Sequence, residues 1–260
     1  MQDARKPPSI PIHTFPISVM TVTRKCILIV MMKMNELTKL GIKFGTDKAY
    51  WHRYTDFYSK FFKEKKELPN VILEIGISTG ASIKMLHKYF NRSIIYCMDI
   101  KEECVENAKQ ISKRVKPFLC DQGNKTQMTT SIMNLNTSFD IIIDDGSHHP
   151  AHQKLTLETL FPFLNPGGIY ICEDIHTSIE APANESMIRY LEGIQYSFGR
   201  ANRINHRDIL NVKFFHRDKP ALRCFQCGKD NHKLESECSC GIDLSPAPND
   251  SITSVIIKKQ

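Results

Sequence analysis

Between residues 71 and 172 short apolar runs alternate with stretches whose apolar positions recur at helical spacing. Strands are predicted at 71–75, 94–98, 115–119, 139–143 and 168–172, with helices at 81–90, 102–112, 125–135 and 151–163 between them. This alternation implies right-handed βαβ units and a parallel, doubly wound sheet. A further helix near 185–196 leads to two β-like runs, 210–215 and 254–258, that read as a closing pair of strands. The predicted fold class is therefore α/β, a doubly wound, mostly parallel seven-stranded sheet, with a small Cys-bearing insertion at about 217–249 before the last strand. Upstream, Tyr54, Phe57, Tyr58, Phe61 and Phe62 recur at helical spacing and predict an amphipathic helix over 50–65, with Thr46 or Asp47 as its cap. The first 33 residues hold four prolines and little periodicity; they read as a loosely attached extension, with the folded domain starting at Met34.

Two of the predicted strands end in carboxylates. Phe139-Asp-Ile-Ile-Ile143 runs into Asp144-Asp145-Gly146-Ser147-His148, and the run ending at Cys172 continues as Glu173-Asp174. Ligands of open α/β sheets bind at that carboxyl edge. Carboxylates converging there repel one another unless a cation sits between them, and a hard divalent ion suits an all-oxygen donor set. Histidine titrates near neutral pH, so His148 is the candidate proton acceptor and Asp145 its acidic neighbour. The competing reading of Asp145, Glu173 and Asp174 is a structural ion-pair network, and Asp144 alone reads as a turn cap or an orienting group.

The first strand-to-helix turn is Glu74-Ile-Gly76-Ile-Ser-Thr-Gly80-Ala-Ser82, with Asp99 ending the second strand and Asp121 following the third. Two glycines let the backbone approach a ligand closely, whereas a dinucleotide fingerprint asks for three. Asp99 is placed to accept from ribose hydroxyls and Asp121 from an adenine amino group. Together these residues resemble the cofactor loops of class I S-adenosylmethionine-dependent methyltransferases.

A narrower resemblance covers about residues 41–176: Gly45-Thr46-Asp47-Lys48, His52-x-Tyr54, Asp145-Gly-Ser-His148 and Glu173-Asp174-x-His176 are similar to the motifs of metal-dependent sugar O-methyltransferases, which tailor macrolides and other glycosides. Cephalosporin hydroxylase-like proteins share them. The resemblance implies a Rossmann-like class I fold, with residues 34–70 as a helical cover over the cofactor. It implies S-adenosylmethionine held by Thr46, Lys48, Tyr54, Glu74, Gly76, Gly80, Ser82, Asp99, Asp121, Gln122 and Asp144, and Mg²⁺ (or Mn²⁺) held by Asp145, Glu173 and Asp174. Catalysis would fall to His148 with Asp145, acting on a sugar or glycan hydroxyl, a deoxyhexose such as rhamnose. For His52 and Tyr54 plain helix packing stays open. The stretch 179–195, where acceptor contacts are expected, follows no family pattern.

Composition adjusts this picture only slightly. The chain has 260 residues, a net charge of +7 and 41% hydrophobic residues. Its basic residues are scattered, so nucleic acid is an unlikely partner. Nine cysteines, five of them placed singly, suggest a reducing, cytoplasmic compartment. Cys224, Cys227, Cys238 and Cys240 form two close pairs that suit a structural Zn²⁺, against free thiols in a loop. The longest apolar run near the start, 26–32, is too short to span a membrane. A homo-oligomer is compatible with the sequence. Rival functions are methylation of a catechol-like or other small diol, and a nucleic-acid-binding module on the same fold. The extension and the Cys-rich insertion also prompt a reading as a virus-encoded enzyme acting in a host cytoplasm.

Overall fold

The computed structural model describes residues 34–179, 181–196, 208–216, 222–223, 230–231 and 252–260. Three helices, α1 (Glu36–Phe44), α2 (Asp47–Tyr50) and α3 (Tyr54–Phe62), precede the alternating region. Then follow β1 (Val71–Ile75), α4 (Ala81–Tyr89), β2 (Ile94–Asp99), α5 (Glu102–Lys109), β3 (Val115–Leu119), α6 (Lys125–Leu135), β4 (Phe139–Asp144), α7 (Pro150–Leu160) and β5 (Leu164–Cys172). The chain continues through α8 (Met187–Tyr196), β6 (Ile209–His216), β7 (Leu222–Arg223), β8 (Asp230–Asn231) and β9 (Ile252–Lys258). Seven strands form one sheet in the order β3-β2-β1-β4-β5-β9-β6. β1 to β5 pair in parallel, while β9 runs antiparallel to both β5 and β6. The predicted fold class holds, including the closing pair of strands.

The strands are apolar on both faces because both are covered. On one face Ile72, Ile141, Ile143, Ile169, Ile171 and Val255 pack with Tyr54, Phe57, Tyr58 and Phe62 of α3 and with α4. On the other, Leu73, Ile75, Ile142, Tyr170 and Cys172 pack with Met128, Ile132, Leu157, Leu160 and Leu191. Phe57 stacks on Phe215 of β6 with ring centroids 4.5 Å apart, anchoring α3 to the far end of the sheet.

Two expectations shift at the N-terminal side. The helix expected over 50–65 is interrupted at its start: α2 ends at Tyr50, and Arg53 takes a left-handed conformation (φ 60°) before α3 begins. Thr46 stands at the N-cap of α2 without a side-chain capping bond. Asn35 caps α1 instead, its side chain accepting from the Thr38 N–H at 2.8 Å. Elsewhere β5 begins at Leu164, earlier than expected, and α7 gives way to a 3₁₀ turn at Phe161–Phe163, where Pro162 removes a helical N–H. The insertion contains the short antiparallel pair β7–β8. The extension 1–33 and Cys224, Cys227, Cys238 and Cys240 lie outside the described residues.

Candidate active site

The sheet ladder runs one residue beyond the strands and brings their ends together. Gly76 N–H donates to Met98 O (2.9 Å), Asp145 N–H to Ile75 O (3.0 Å) and Glu173 N–H to Asp144 O (2.9 Å). Gly76, Asp145 and Glu173 therefore stand side by side at the carboxyl ends of β1, β4 and β5. Gly76 has φ +91°, and a Cβ there would collide with the Asp145 carbonyl oxygen. Only glycine lets these two strand ends approach so closely.

Side-chain alternation splits the acidic pairs. Asp144 is buried on the α6–α7 face, where Gln122 Nε2 donates to Oδ1 (2.6 Å) and the Tyr170 hydroxyl to Oδ2 (3.2 Å). Burial pushes its carboxyl up to about 7, against the pull of those two hydrogen bonds. Asp145 and Glu173 point to the opposite face, toward α2 and α3. There the Lys48 ammonium, 1% exposed, donates to Asp145 Oδ2 and to Glu173 Oε1 (2.7 Å) and stands 3.6 Å from Glu74 Oε1. The Tyr58 hydroxyl also donates to Glu173 Oε1. Burial alone would lower the Lys48 pKa, but Asp145, Glu173 and Glu74 together hold it well above the usual value. Burial pushes the carboxyls the other way: Glu74 rises to about 7, and Asp145 and Glu173 also rise, their mutual repulsion adding to the effect at Glu173.

Asp174 follows Glu173 at the same edge and is largely buried. Its φ of 51° is left-handed, and so is that of His148 at 57°. Asp and His tolerate that region better than most residues, yet two such positions at one site mark backbone strain held by the surrounding fold. The Tyr54 hydroxyl donates to Asp174 Oδ1, and Nδ1 of His52, His148 and His176 lies 3.6, 3.7 and 3.7 Å from the carboxylate. Burial raises the Asp174 carboxyl, but His52, His148, the Tyr54 hydroxyl and His176 together hold it below its ordinary value. Ligand atoms of Asp145, His148 and Asp174 lie within 4.8 Å of one another, a spacing that can hold a metal ion. His148 Nδ1 is buried without a hydrogen-bond partner. The carboxylates of Asp145 and Asp174 are the hard oxygen donors a divalent cation takes, the unpartnered His148 Nδ1 lies beside them, and the nearby Glu74 and Glu173 carboxyls are raised chiefly by burial.

The remaining expected site residues fall around this centre. Ser82 Oγ donates to Glu74 Oε1 at 2.6 Å, tying the start of α4 to β1, and Gly80 (φ 74°) is the N-cap of that helix. Asp99 Oδ2 accepts from the N–H groups of Ile77 (2.8 Å) and Ser78 (3.2 Å), so it organises the glycine turn. Asp121 Oδ1 accepts from Gly123 N–H (2.7 Å), and Gln122 Oε1 from Ser147 N–H (2.8 Å), linking the third loop to the fourth. Thr46 is buried at the foot of α2. The three carboxylates expected to share an ion all stand at this edge, Asp145 and Glu173 sharing the Lys48 ammonium. Asp145 and Asp174 gather with His148, while Glu173 is turned inward to Lys48 and Tyr58. Tyr58 was not anticipated; its i, i+4 spacing from Tyr54 on one helix face is the signal that puts both hydroxyls at the acidic edge. A cavity of about 750 Å³ opens beside the centre, lined by residues including His149, Lys154, Leu155, Thr177 and Asn184.

Residues 73–175 match the family model of a methyltransferase domain. The chain is 34% identical over 149 residues to 8-demethyl-8-alpha-L-rhamnosyl tetracenomycin-C 2'-O-methyltransferase of Streptomyces olivaceus, a span of 55% of this chain and 38% of that protein. It is 34% identical over 154 residues to demethylmacrocin O-methyltransferase of Streptomyces fradiae, covering 56% of this chain and 37% of the relative. Among solved structures, MycE methyltransferase from the mycinamycin biosynthetic pathway, in complex with Mg, SAH and mycinamycin VI, superposes with a TM-score of 0.62 at 20% identity. It covers 88% of this chain and 56% of that one. The chain thus spans about 38% of the length of the curated relatives it matches. Its resemblance to class I methyltransferases holds in sequence and in fold, and the narrower resemblance to sugar O-methyltransferases holds in sequence. The relatives named are bacterial and lend a viral source no support. Among the described residues no helix is long and apolar enough to cross a membrane.

Proposed function

We propose that this chain is an S-adenosylmethionine- and Mg²⁺-dependent O-methyltransferase that methylates a hydroxyl of a sugar, a deoxyhexose such as rhamnose, in a glycoside or glycan. The observation that carries this reading is the convergence of Asp145, His148 and Asp174 within 4.8 Å at the sheet edge, next to the Gly76 turn. Glu74, Gly76, Gly80 and Asp99 form the S-adenosylmethionine cradle, with α1–α3 as its cover. Asp145 and Asp174 would hold the divalent cation, and Glu173 shares the Lys48 ammonium with Asp145. When bound, the cofactor supplies an electrophilic sulfonium methyl, and the cation lowers the pKa of an adjacent hydroxyl.

The chain's own residues handle the proton. A neutral sugar hydroxyl is a poor nucleophile, so its proton must be removed as the new bond to the methyl forms. His148 Nδ1 faces Asp174 at 3.7 Å, which leaves Nε2 to take the acceptor's proton. The imidazolium formed is stabilised by the Asp174 carboxylate behind it. Thr177 Oγ1 donates to His148 O at 2.7 Å and holds that loop in its left-handed conformation. The cavity beside His149 has room for the rest of the glycoside. Relatives whose names specify rhamnosyl and macrocin acceptors support the sugar assignment. The test is His148→Ala: transfer to a rhamnosyl glycoside should fall about 10²- to 10⁴-fold, with S-adenosylmethionine affinity unchanged. Undiminished transfer at neutral pH would remove His148 from the mechanism.

A further inference from the structure

One ammonium faces the ends of three strands. Lys48 Nζ contacts Glu74 from β1, Asp145 after β4 and Glu173 after β5, and it is delivered by α2, a helix of four residues. That helix is held in place by close packing: a Cβ on Gly41 of α1 would lie 2.5 Å from Ala49 Cβ, next to Lys48. The following helix grips the same edge, Tyr54 through Asp174 and Tyr58 through Glu173. Glu74, Asp145, Glu173 and Asp174 are therefore all engaged from the α2–α3 segment. Asp145 has a double position, because it also belongs to the group formed with His148 and Asp174.

We propose that Lys48 is the resident counter-cation of the acidic edge and competes with the divalent cation for Asp145, so that metal binding is coupled to the docking of α2 against the sheet. The proposal rests on the metal site read above. A divalent ion at Asp145 and Asp174 would face the Lys48 ammonium across one carboxylate, and like charges at such a distance repel strongly in a buried setting. The lysine stem is flexible and Glu74 is already 3.6 Å away, so the ammonium can release Asp145 and keep a buried partner. Coupling of this kind is reciprocal: what the metal does to α2, α2 does to the metal. Lys48 acts here as a positioning residue, through Asp145.

The test measures Mn²⁺ affinity by titration calorimetry on the full chain, without cofactor or acceptor. Lys48→Met removes the charge and keeps the stem; Lys48→Arg keeps the charge. Lys48→Met should bind Mn²⁺ about tenfold tighter than wild type and gain more in melting temperature from Mn²⁺, while Lys48→Arg stays within about twofold. A merely structural role predicts the reverse, weaker binding in Lys48→Met, and equal or weaker binding there overturns the proposal. Amide hydrogen exchange on the wild type gives an independent reading that needs no variant. Mn²⁺ should speed exchange in residues 47–50, and unchanged or slower exchange overturns the proposal as well. A wild type that binds no Mn²⁺ refutes the metal site itself, which the first titration shows before any variant is made.

Discussion

Asp144 and Asp145 are neighbours in sequence with opposite environments, and replacing each by asparagine should separate them. Asp144 is 1% exposed and holds two donors, Gln122 and Tyr170. Burial moves its carboxyl from 3.8 up to about 7 in the folded chain. The folded state therefore binds more protons than the unfolded state across that interval, and stability falls as pH rises through it. At about 1.4 kcal/mol per pH unit, this one group withdraws up to about 4 kcal/mol by the time pH exceeds 7. Asp144→Asn carries no charge to desolvate. Its Oδ1 still accepts from Gln122, and its amide N–H can donate to the Tyr170 oxygen in place of the bond it loses. Urea unfolding from about pH 4 to about pH 8 should show the two proteins within about 1 kcal/mol at the acid end, with the variant the more stable by up to about 4 kcal/mol at the alkaline end. Glu74 and Glu173 titrate in both proteins and cancel in the difference. Parallel stability curves across the range would refute a buried, proton-retaining Asp144. Asp145→Asn should instead abolish the methyl transfer that Mg²⁺ supports.

The other predictions concern the edge and its cofactor turn. Gly76→Ala forces a Cβ into the Asp145 carbonyl at φ +91° and should cost about 1–3 kcal/mol with loss of S-adenosylmethionine binding, read by thermal unfolding with and without the cofactor. Tyr58→Phe removes a donor from the buried Glu173 and should destabilise the fold by about 1–3 kcal/mol in urea unfolding; no loss would place Glu173 elsewhere. Removal of divalent ions by EDTA should stop methyl transfer, and Mg²⁺ should restore it; indifference to EDTA would sink the role assigned to Asp145 and Asp174.

The alternation of apolar runs between Val71 and Cys172 was enough to place every strand of the parallel half, because strands covered on both faces read as continuous apolar segments. The glycine turn and the carboxylates at strand ends were equally legible, since both are local. Three features were not. The break between α2 and α3 depends on Arg53 adopting a left-handed conformation that nothing in its identity demands. The placing of Asp174 beside His148, apart from Glu173, depends on the backbone after the ladder ends, where Asp174 takes a left-handed turn. The position of Lys48 requires α2 to fold back across a separation of 97 residues to Asp145, a tertiary fact that motif spacing carries only as the bare presence of a lysine.

The central claim is a metal-dependent transfer of methyl to a sugar hydroxyl, and the most direct test is radiolabelled S-adenosylmethionine offered with a panel of rhamnosyl and other deoxyhexosyl glycosides, small catechols and RNA, each with and without Mg²⁺. The account predicts label on a glycoside hydroxyl in the presence of Mg²⁺ and none in its absence. Label on RNA, or on any acceptor regardless of the metal, would contradict it.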